Sequence, residues 1–213
     1  MSRGKIVICE GTSCAGKTTF CSNLAKQKNW YLIPEAVRYL ERETRKSGDE
    51  ASPIPNEIEE ELFFQQEFLR VEKRRIEEAN DVAHSGHNVI LDKSFLAVVA
   101  TAYGFAKLKK FSGTYERALE LYYKNYLPFL VENGFVECDK FILLTAEHPT
   151  IIERNQSRGH ILHGIWVDKA LIELQKEFLV NNLPANSCEI HILDTTSLDT
   201  GEVKKDLMHF INR

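Results

Sequence analysis

A glycine-rich run between an apolar segment and a helical pattern constrains this chain more than any other feature. Residues 11–18, GTSCAGKT, match the spacing G-x-x-x-x-G-K-[ST] of a phosphate-binding P-loop. The run before it, IVIC at residues 6–9, is typical of a buried parallel strand, and Phe20 and Leu24 after it recur at helical spacing. Strand, glycine-rich turn and helix are the context that the motif requires, so an incidental turn is the weaker interpretation. We expect the chain to bind a nucleoside triphosphate.

The residue types of this loop suit phosphate chemistry. Glycines allow a tight turn, so that successive backbone N–H groups surround an oxyanion at the positive end of the following helix. Lys17 is expected to reach the β- and γ-phosphates, and the Thr18 hydroxyl to bind Mg²⁺. The predicted triphosphate contacts are Gly11, Thr12, Ser13, Cys14, Ala15, Gly16, Lys17, Thr18 and Thr19.

Composition excludes several classes of function. The 213 residues, 43% of them hydrophobic, are enough for one domain with a full core. A net charge of −4 provides no basic surface, so we expect no nucleic-acid partner. No apolar run has the length of a membrane span, and we expect no membrane association and no signal peptide. The five cysteines lack metal-type spacing, which favours a reducing cytoplasm.

The pattern along the chain predicts an α/β fold. Five short apolar runs predict strands at residues 6–9, 30–33, 88–91, 140–144 and 190–193. Helical patterns occupy residues 57–84, 95–110, 114–132 with an interruption at Pro128, 149–158, 167–180 and 201–211. This alternation indicates a parallel sheet covered on both faces, whose ligands bind at the carboxyl ends of the strands. That rim gathers the strand-end acids Glu10, Glu35, Asp92 and Asp194.

Asp92 and Lys93 follow the third strand. Asp92 is expected to hold Mg²⁺ directly or through water, as a Walker-B acid does, although a strand-end aspartate also commonly caps the next helix. Lys93 stands where a motor-type ATPase commonly places a water-activating carboxylate. This difference argues against a motor.

Glu35 opens the helix after the second strand, where two roles are open. It complements the helix dipole, or it accepts a proton or hydrogen bond from an attacking hydroxyl or a sugar hydroxyl. Arg38 on the same turn and Arg70 either recognise a substrate phosphate or are ordinary surface cations. Gln66 lies four residues before Arg70 on one face of the long helix, and we group both with Tyr103 as acceptor contacts.

Arg154 and Arg158 lie four residues apart on a short helix before a glycine-bounded loop. They form a surface salt-bridge face, or they belong to a lid, at about residues 154–168, that brings positive charge onto the transferring phosphoryl group. Phosphoryl transfer needs such cations, so we favour the lid.

Together these residues resemble the thymidylate kinase and deoxynucleoside kinase group of P-loop kinases. The opening from Cys9-Glu10-Gly11 to Thr19 is similar to I-E-G-x-x-x-x-G-K-[ST]-T, and Asp92-Lys93-Ser94 to D-R-[YS] or E-R-S. Arg154 with Arg158 resembles the R-x-x-x-R lid, and Asp194-Thr195-Thr196 the D-T-[ST] segment near the adenine. Residues 34–40, PEAVRYL, also resemble a segment of ribosylnicotinamide-kinase-like ATPases. Two departures concern the acceptor: Lys93 replaces an arginine, and Ile33-Pro34-Glu35 stands in place of R-E-P.

The resemblance implies a single three-layer α/β/α P-loop kinase domain over residues 1–213, with strand order 2-3-1-4-5. It also implies Mg²⁺, a closing lid, a Thr195 contact with ATP, and a homodimer. We expect an ATP-dependent phosphotransferase acting on a nucleoside monophosphate or nucleoside, with Lys17, Glu35, Arg154 and Arg158 as catalytic residues. The expected acceptor contacts are Glu35, Arg38, Gln66, Arg70, Lys93 and Tyr103. The alternatives are a ribosylnicotinamide-kinase-like or other small-molecule kinase, and a nucleotide-dependent regulatory ATPase. No N-K-x-D motif is present, which counts against a GTPase.

Overall fold

A five-stranded parallel sheet forms the centre of the computed structural model, which describes residues 2–27, 29–46, 54–157, 162, 164–183 and 188–213. The strands are β1 (Ile6–Gly11), β2 (Trp30–Ile33), β3 (Asn88–Asp92), β4 (Lys140–Thr145) and β5 (Glu189–Asp194). They follow the order β2-β3-β1-β4-β5, and every neighbouring pair is parallel. The predicted strands and their order are confirmed.

The central strand β1 explains why this sequence forms a buried sheet. All six of its residues are buried, because β3 and β4 pair with its two edges and helices cover both of its faces. Ile8 lies opposite Leu91 of β3 and Phe141 of β4. A continuous apolar run is what burial on both faces requires, and it brings the carboxyl ends of three strands to one rim.

Helices form a layer on each face of the sheet. The bounds are α1 (Lys17–Ala25), α2 (Ala36–Thr44), α3 (Ile58–His84), α4 (Leu96–Lys107), α5 (Thr114–Glu120), α6 (Leu127–Asn133), α7 (His148–Gln156), α8 (Lys169–Asn181) and α9 (Thr200–Asn212). Val7 and Cys9 of β1 share a core with α1 and α9. Ile6 and Ile8 point into the larger core, which includes α3, α4 and α8. The structure therefore has the three expected layers.

Pro128 does not interrupt the helical segment that contains it, contrary to the sequence interpretation. A π-helical turn at Leu121–Tyr126 joins α5 to α6, and Pro128 lies in the first turn of α6. A proline lacks the N–H that an α-helical turn would use, and the widened turn directly before it accommodates this loss. Within the described part of the chain, no helix is both long and apolar enough to cross a membrane.

Candidate functional site

The P-loop leaves β1 through a backbone conformation that only glycine tolerates there. Gly11 has a φ of 141°, and a Cβ at this position would lie 2.0 Å from the carbonyl oxygen of Leu144. Gly16 has a φ of 102° and begins α1. The first glycine therefore permits close packing of the loop against β4, and the second permits the turn into the helix. Thr12, between them, is buried and lines neither of the cavities described below.

Lys17 is buried at the base of this loop. Its ammonium donates to the carbonyl oxygen of Thr12, with 2.5 Å between the two atoms. Burial lowers the pKa of Lys17, and the Lys93 charge lowers it further, whereas Asp92 raises it. An anionic ligand would favour the charged form in the way that Asp92 does. Lys17 is thus suited to a polyphosphate.

Thr18 and Asp92 meet at the carboxyl end of β3. The Thr18 hydroxyl donates to Asp92 Oδ2 at 2.6 Å, whereas the buried Oδ1 has no hydrogen-bond partner among the described residues. A hydroxyl that donates its proton to Asp92 keeps its lone pairs for another ligand, and hard oxygens of this kind suit Mg²⁺. No cluster of three potential metal-binding side chains occurs in the described residues. Thr18 and Asp92 therefore fit a magnesium ion that takes its other ligands from phosphate and water.

Two cavities adjoin the P-loop. The first, here called the Glu35 cavity, has a volume of about 570 Å³ and lies under α2, α3 and α4. The second, here called the Thr195 cavity, has a volume of about 550 Å³ and reaches the beginning of α9. Both are lined by Cys14, Lys17 and Thr18. A ligand in one cavity would therefore meet a ligand in the other at these three residues.

Glu35 and Lys93 form an ion pair in the wall of the Glu35 cavity. Lys93 Nζ lies 2.8 Å from Glu35 Oε2, and Lys93 has a left-handed backbone with φ 65°. The Lys93 charge lowers the pKa of Glu35 to about 2. Glu35 is consequently ionised at neutral pH and is a weak base. It is better suited to accepting a hydrogen bond from a hydroxyl than to removing its proton.

Three buried charged residues hold the backbone near Lys93: Glu10, which the sequence placed on the rim, and Glu72 and Arg75, which the sequence interpretation missed as site components. The buried Arg75 guanidinium pairs with Glu72 and donates to the carbonyl oxygens of Asp92 at 2.8 Å and Lys93 at 3.1 Å. Glu10 accepts hydrogen bonds from the backbone N–H and the hydroxyl of Ser94, each at 2.9 Å. Burial raises the pKa of Glu10. The i, i+3 spacing of Glu72 and Arg75 in a long helix was the available signal.

Arg154 lines the Thr195 cavity. Its guanidinium donates to the hydroxyl of Thr195 at 2.8 Å and to the Thr195 carbonyl oxygen at 2.5 Å. Thr195 is buried directly after β5, and its hydroxyl lies 3.1 Å from the carbonyl oxygen of Ala15 in the P-loop. The structure therefore brings Arg154 and Thr195 to the P-loop. Arg158 lies outside the described residues.

The described part of the expected lid is tethered over the Glu35 cavity. The buried Asn155 donates through Nδ2 to the Leu162 carbonyl and accepts through Oδ1 from the Leu162 N–H, both at 2.9 Å. His148 Nε2 lies 3.0 Å from the carbonyl oxygen of Val167. Leu162 and Trp166, here called the roof, line the cavity. Asn155, which the sequence interpretation also missed, thus connects α7 to the cavity roof.

Comparison of the sequence with known protein families identifies the family of this chain. A protein family described as AAA domain matches residues 5–140, which is more than half of the chain. The chain belongs to this AAA domain family. The matched region of the AAA domain includes the P-loop, Glu35 and Asp92, whereas Arg154 and Thr195 lie beyond it. A search of curated proteins finds no match.

Solved structures that resemble this AAA domain include two kinases. The thymidylate kinase from Candida albicans superimposes with a TM-score of 0.72 at 16% identity, covering 100% of this chain and 92% of that one. The deoxyadenosine kinase from M. mycoides with bound dATP gives a TM-score of 0.72 at 20% identity, covering 98% of this chain and 100% of that one. The same kinase with the products dCMP and a flexible dCDP gives 0.67 at 19% identity, covering 97% and 98%. These matches confirm the P-loop kinase fold.

Three expected acceptor contacts of the AAA domain lie elsewhere, and their grouping is corrected. Gln66 and Arg70 are exposed on α3, where Arg70 pairs with neighbouring glutamates. Tyr103 donates its hydroxyl to Glu177, 2.8 Å away. None of the three lines either cavity. Gln65 lines the Glu35 cavity instead, because one residue along a helix turns the side chain by about 100°. Arg38 lines the same cavity but is paired with Glu41 at 2.7 Å.

Proposed function

We propose that this chain is an ATP-dependent phosphotransferase whose acceptor is a nucleoside. The observation that carries the proposal is the meeting of two cavities at Cys14, Lys17 and Thr18. One cavity would hold the phosphate donor, and the other would place an acceptor hydroxyl beside its last phosphate. A hydrolytic switch needs no second cavity of this size. The likeness of fold to thymidylate and deoxyadenosine kinases supports the proposal.

The Thr195 cavity is proposed to bind ATP. The P-loop N–H groups and Lys17 would hold the β- and γ-phosphates, and Arg154 at the edge of the loop would meet charge that develops during transfer. Thr18 and Asp92 would hold Mg²⁺, which would neutralise phosphate charge when bound. The segment from Leu198 to Lys204 lines the far part of the cavity and would surround the base.

Glu35 and Lys93 are proposed to prepare the acceptor hydroxyl. Ionised Glu35 would accept a hydrogen bond from that hydroxyl and turn its oxygen towards the γ-phosphate. Lys93, beside it, would add positive charge to the transferring group. A transition state with loose bonding asks for little proton removal before transfer, so a carboxylate with a pKa of about 2 suffices.

The charge balance of the Glu35 cavity favours a nucleoside over a monophosphate. Within the described residues, three cations that line it are each paired with a carboxylate: Lys93 with Glu35, Arg38 with Glu41 and Arg75 with Glu72. The remaining cation, Lys17, belongs to the P-loop. A second phosphate in this cavity would have to displace a carboxylate, whereas a sugar hydroxyl fits the existing pairs.

A coupled ADP-release screen tests the function. Nucleosides, their monophosphates and nicotinamide riboside are supplied with ATP and Mg²⁺, and acceptor-stimulated ADP release is measured. We expect stimulation by at least one nucleoside and little by its monophosphate. A regulatory ATPase would instead release ADP slowly whatever acceptor is present, and that result would reject the proposal.

Lys17→Met provides the control for this screen. The variant keeps the length of the buried stem and removes the charge, so it should fold and lose about a hundredfold or more in turnover. A melting curve for each protein separates loss of activity from loss of structure. Full turnover in the variant would show that the measured activity comes from another protein.

A further inference from the structure

Gln65 lines the Glu35 cavity, and its side-chain oxygen is unsatisfied among the described residues. The side chain is 1% exposed, and its Nε2 donates to Glu61 Oε1 at 2.9 Å and to the Thr114 carbonyl oxygen at 3.0 Å. A carbonyl can only accept, so a flipped amide would set its oxygen against that of Thr114. The orientation of the amide is therefore determined. Its Oε1 is buried and has no hydrogen-bond partner among the described residues.

Glu61, one turn earlier on α3, adds a second acceptor to the same wall. The side chain is 6% exposed, lines the Glu35 cavity, and forms no ion pair with a described residue. Burial raises the pKa of Glu61 to about 7, and only the Gln65 hydrogen bond opposes this effect. Among the described residues, Glu61 and Gln65 Oε1 thus give this wall hydrogen-bond acceptors.

Aromatic side chains also line the Glu35 cavity. Phe64 and Phe68 of α3 and Trp166 of the roof line it, together with the aliphatic Val98 and Leu162. Flat apolar walls around a few convergent polar atoms suit a heteroaromatic ring, since the ring faces pack on the walls while its edge meets the polar atoms. The polar atoms that such an edge would meet belong to Glu61 and Gln65.

We propose that Glu61 and Gln65 recognise the acceptor by its hydrogen-bond donors, and that they select a ring with adjacent N–H groups, as in guanine. This inference rests on the proposed function, because it treats the Glu35 cavity as the acceptor site. Guanine offers N1–H beside its N2 amino group, enough donors for the Glu61 carboxylate and for Gln65 Oε1 together. A buried acceptor without a hydrogen bond costs binding free energy, so a ring that leaves one of these acceptors unpaired binds more weakly.

The other common bases match this wall less well. Thymine has one N–H between two carbonyl oxygens, which would face the oxygens of Glu61 and Gln65. Adenine and cytosine each place an amino group beside a ring nitrogen that accepts. Hypoxanthine keeps N1–H but lacks the 2-amino group. The expected order of affinity is therefore guanine, then hypoxanthine, then thymine.

Calorimetric binding and ADP release are measured with 2′-deoxyguanosine, 2′-deoxyinosine and thymidine at pH 8, where Glu61 is ionised. We expect 2′-deoxyinosine to bind about tenfold more weakly than 2′-deoxyguanosine, and thymidine about a hundredfold more weakly. Glu61→Gln replaces one acceptor oxygen with a donor. It should therefore weaken the binding of 2′-deoxyguanosine about tenfold and strengthen the binding of thymidine. Glu59→Gln, on the exposed side of the same helix, is the matched control and should change neither.

The outcomes separate this inference from the function on which it rests. Equal use of thymidine and 2′-deoxyguanosine, or an unchanged preference in Glu61→Gln, overturns the inference and leaves phosphoryl transfer standing. If 2′-deoxyguanosine binds in a way that depends on Glu61 but no acceptor stimulates ADP release, the inference about recognition is supported and the proposed phosphoryl transfer is rejected. If none of the three nucleosides binds, the inference is overturned. Melting curves of both variants check that each is folded.

Discussion

Lys93 sets the charge state of Glu35, and this is a property of single residues that the sequence alone could not supply. The lysine follows β3 and the glutamate precedes α2, so 58 positions separate them along the chain. Their contact depends on β2 and β3 being neighbours and on the left-handed conformation of Lys93. Arg75 supports that conformation through the carbonyl oxygens of Asp92 and Lys93.

Removing Lys93 should change how stability depends on pH. The pKa of Glu35 is lowered from about 4.5 to about 2, so its contribution is fully present above pH 4.5 and is lost as pH falls through about 2. Lys93→Met should therefore lower the free energy of unfolding by about 1–2 kcal/mol at pH 7, after allowance for partial exposure, and by less at pH 3. Urea unfolding at both pH values measures the difference.

Lys124→Met serves as the control for that measurement. Lys124 pairs with Glu120 but is 74% exposed, so its removal should leave stability nearly unchanged at both pH values. If Lys93→Met behaves like this control, the ion pair does not determine the charge of Glu35.

For single residues, the sequence located the P-loop well and the proposed acceptor contacts poorly. Residues 11–18 form a local motif whose conformation follows from its own glycines, so spacing was enough. The assignment of Gln66 in place of Gln65 is an error of helix phase. Both faces of α3 carry apolar residues, and the pattern therefore did not show which face the cavity touches.

Among the elements, α7 joins two parts of the site through neighbouring residues. Arg154 reaches Thr195 on the side of the Thr195 cavity, and Asn155 holds Leu162 over the Glu35 cavity. The sequence interpretation found the helix and Arg154, because charge spacing is visible in a sequence. Asn155 was missed, since a single buried amide that tethers a loop leaves no periodic signal.

Asn155→Ala should loosen the roof of the Glu35 cavity without disturbing the ATP side. The loss of two hydrogen bonds to Leu162 should raise the KM for the nucleoside about tenfold or more, whereas the KM for ATP should change less than about threefold. Steady-state kinetics with each substrate varied in turn measures the split. Glu153→Gln, exposed on the same helix, should match wild type in both constants. Equal rises in both KM values for Asn155→Ala would contradict a role confined to the roof.

At the scale of the whole molecule, the sheet brings two cavities together at the P-loop. The sheet order predicted from the resemblance places β1 in the centre, so the P-loop separates the two cavities while forming a wall of each. This arrangement follows from topology, which a family pattern captures. The side chains that line the Glu35 cavity do not follow from topology, because they come from α2, α3, α4 and the roof.

We therefore expect sequential kinetics. With ATP and the nucleoside both varied, double-reciprocal plots of initial rates should intersect, because the phosphoryl group passes between two bound ligands without a covalent enzyme intermediate. Parallel lines would indicate transfer through the protein. Cys14 is a nucleophilic side chain that lines both cavities, so Cys14→Ser is the informative control. It should keep the intersecting pattern.

The length of α3 has a consequence for how this protein can change over evolution. Glu61 and Arg75 are separated by 14 residues along the helix, or about 21 Å, so the turns of the proposed ring pocket are distant from the turn that holds Asp92 and Lys93. Substitutions at residues 61–68 can reshape the ring pocket while Arg75 and Glu72 continue to support the strand ends. Under the proposed function, acceptor choice and phosphoryl transfer would thus be separable traits carried by one helix, and acceptor choice could change while phosphoryl transfer is retained.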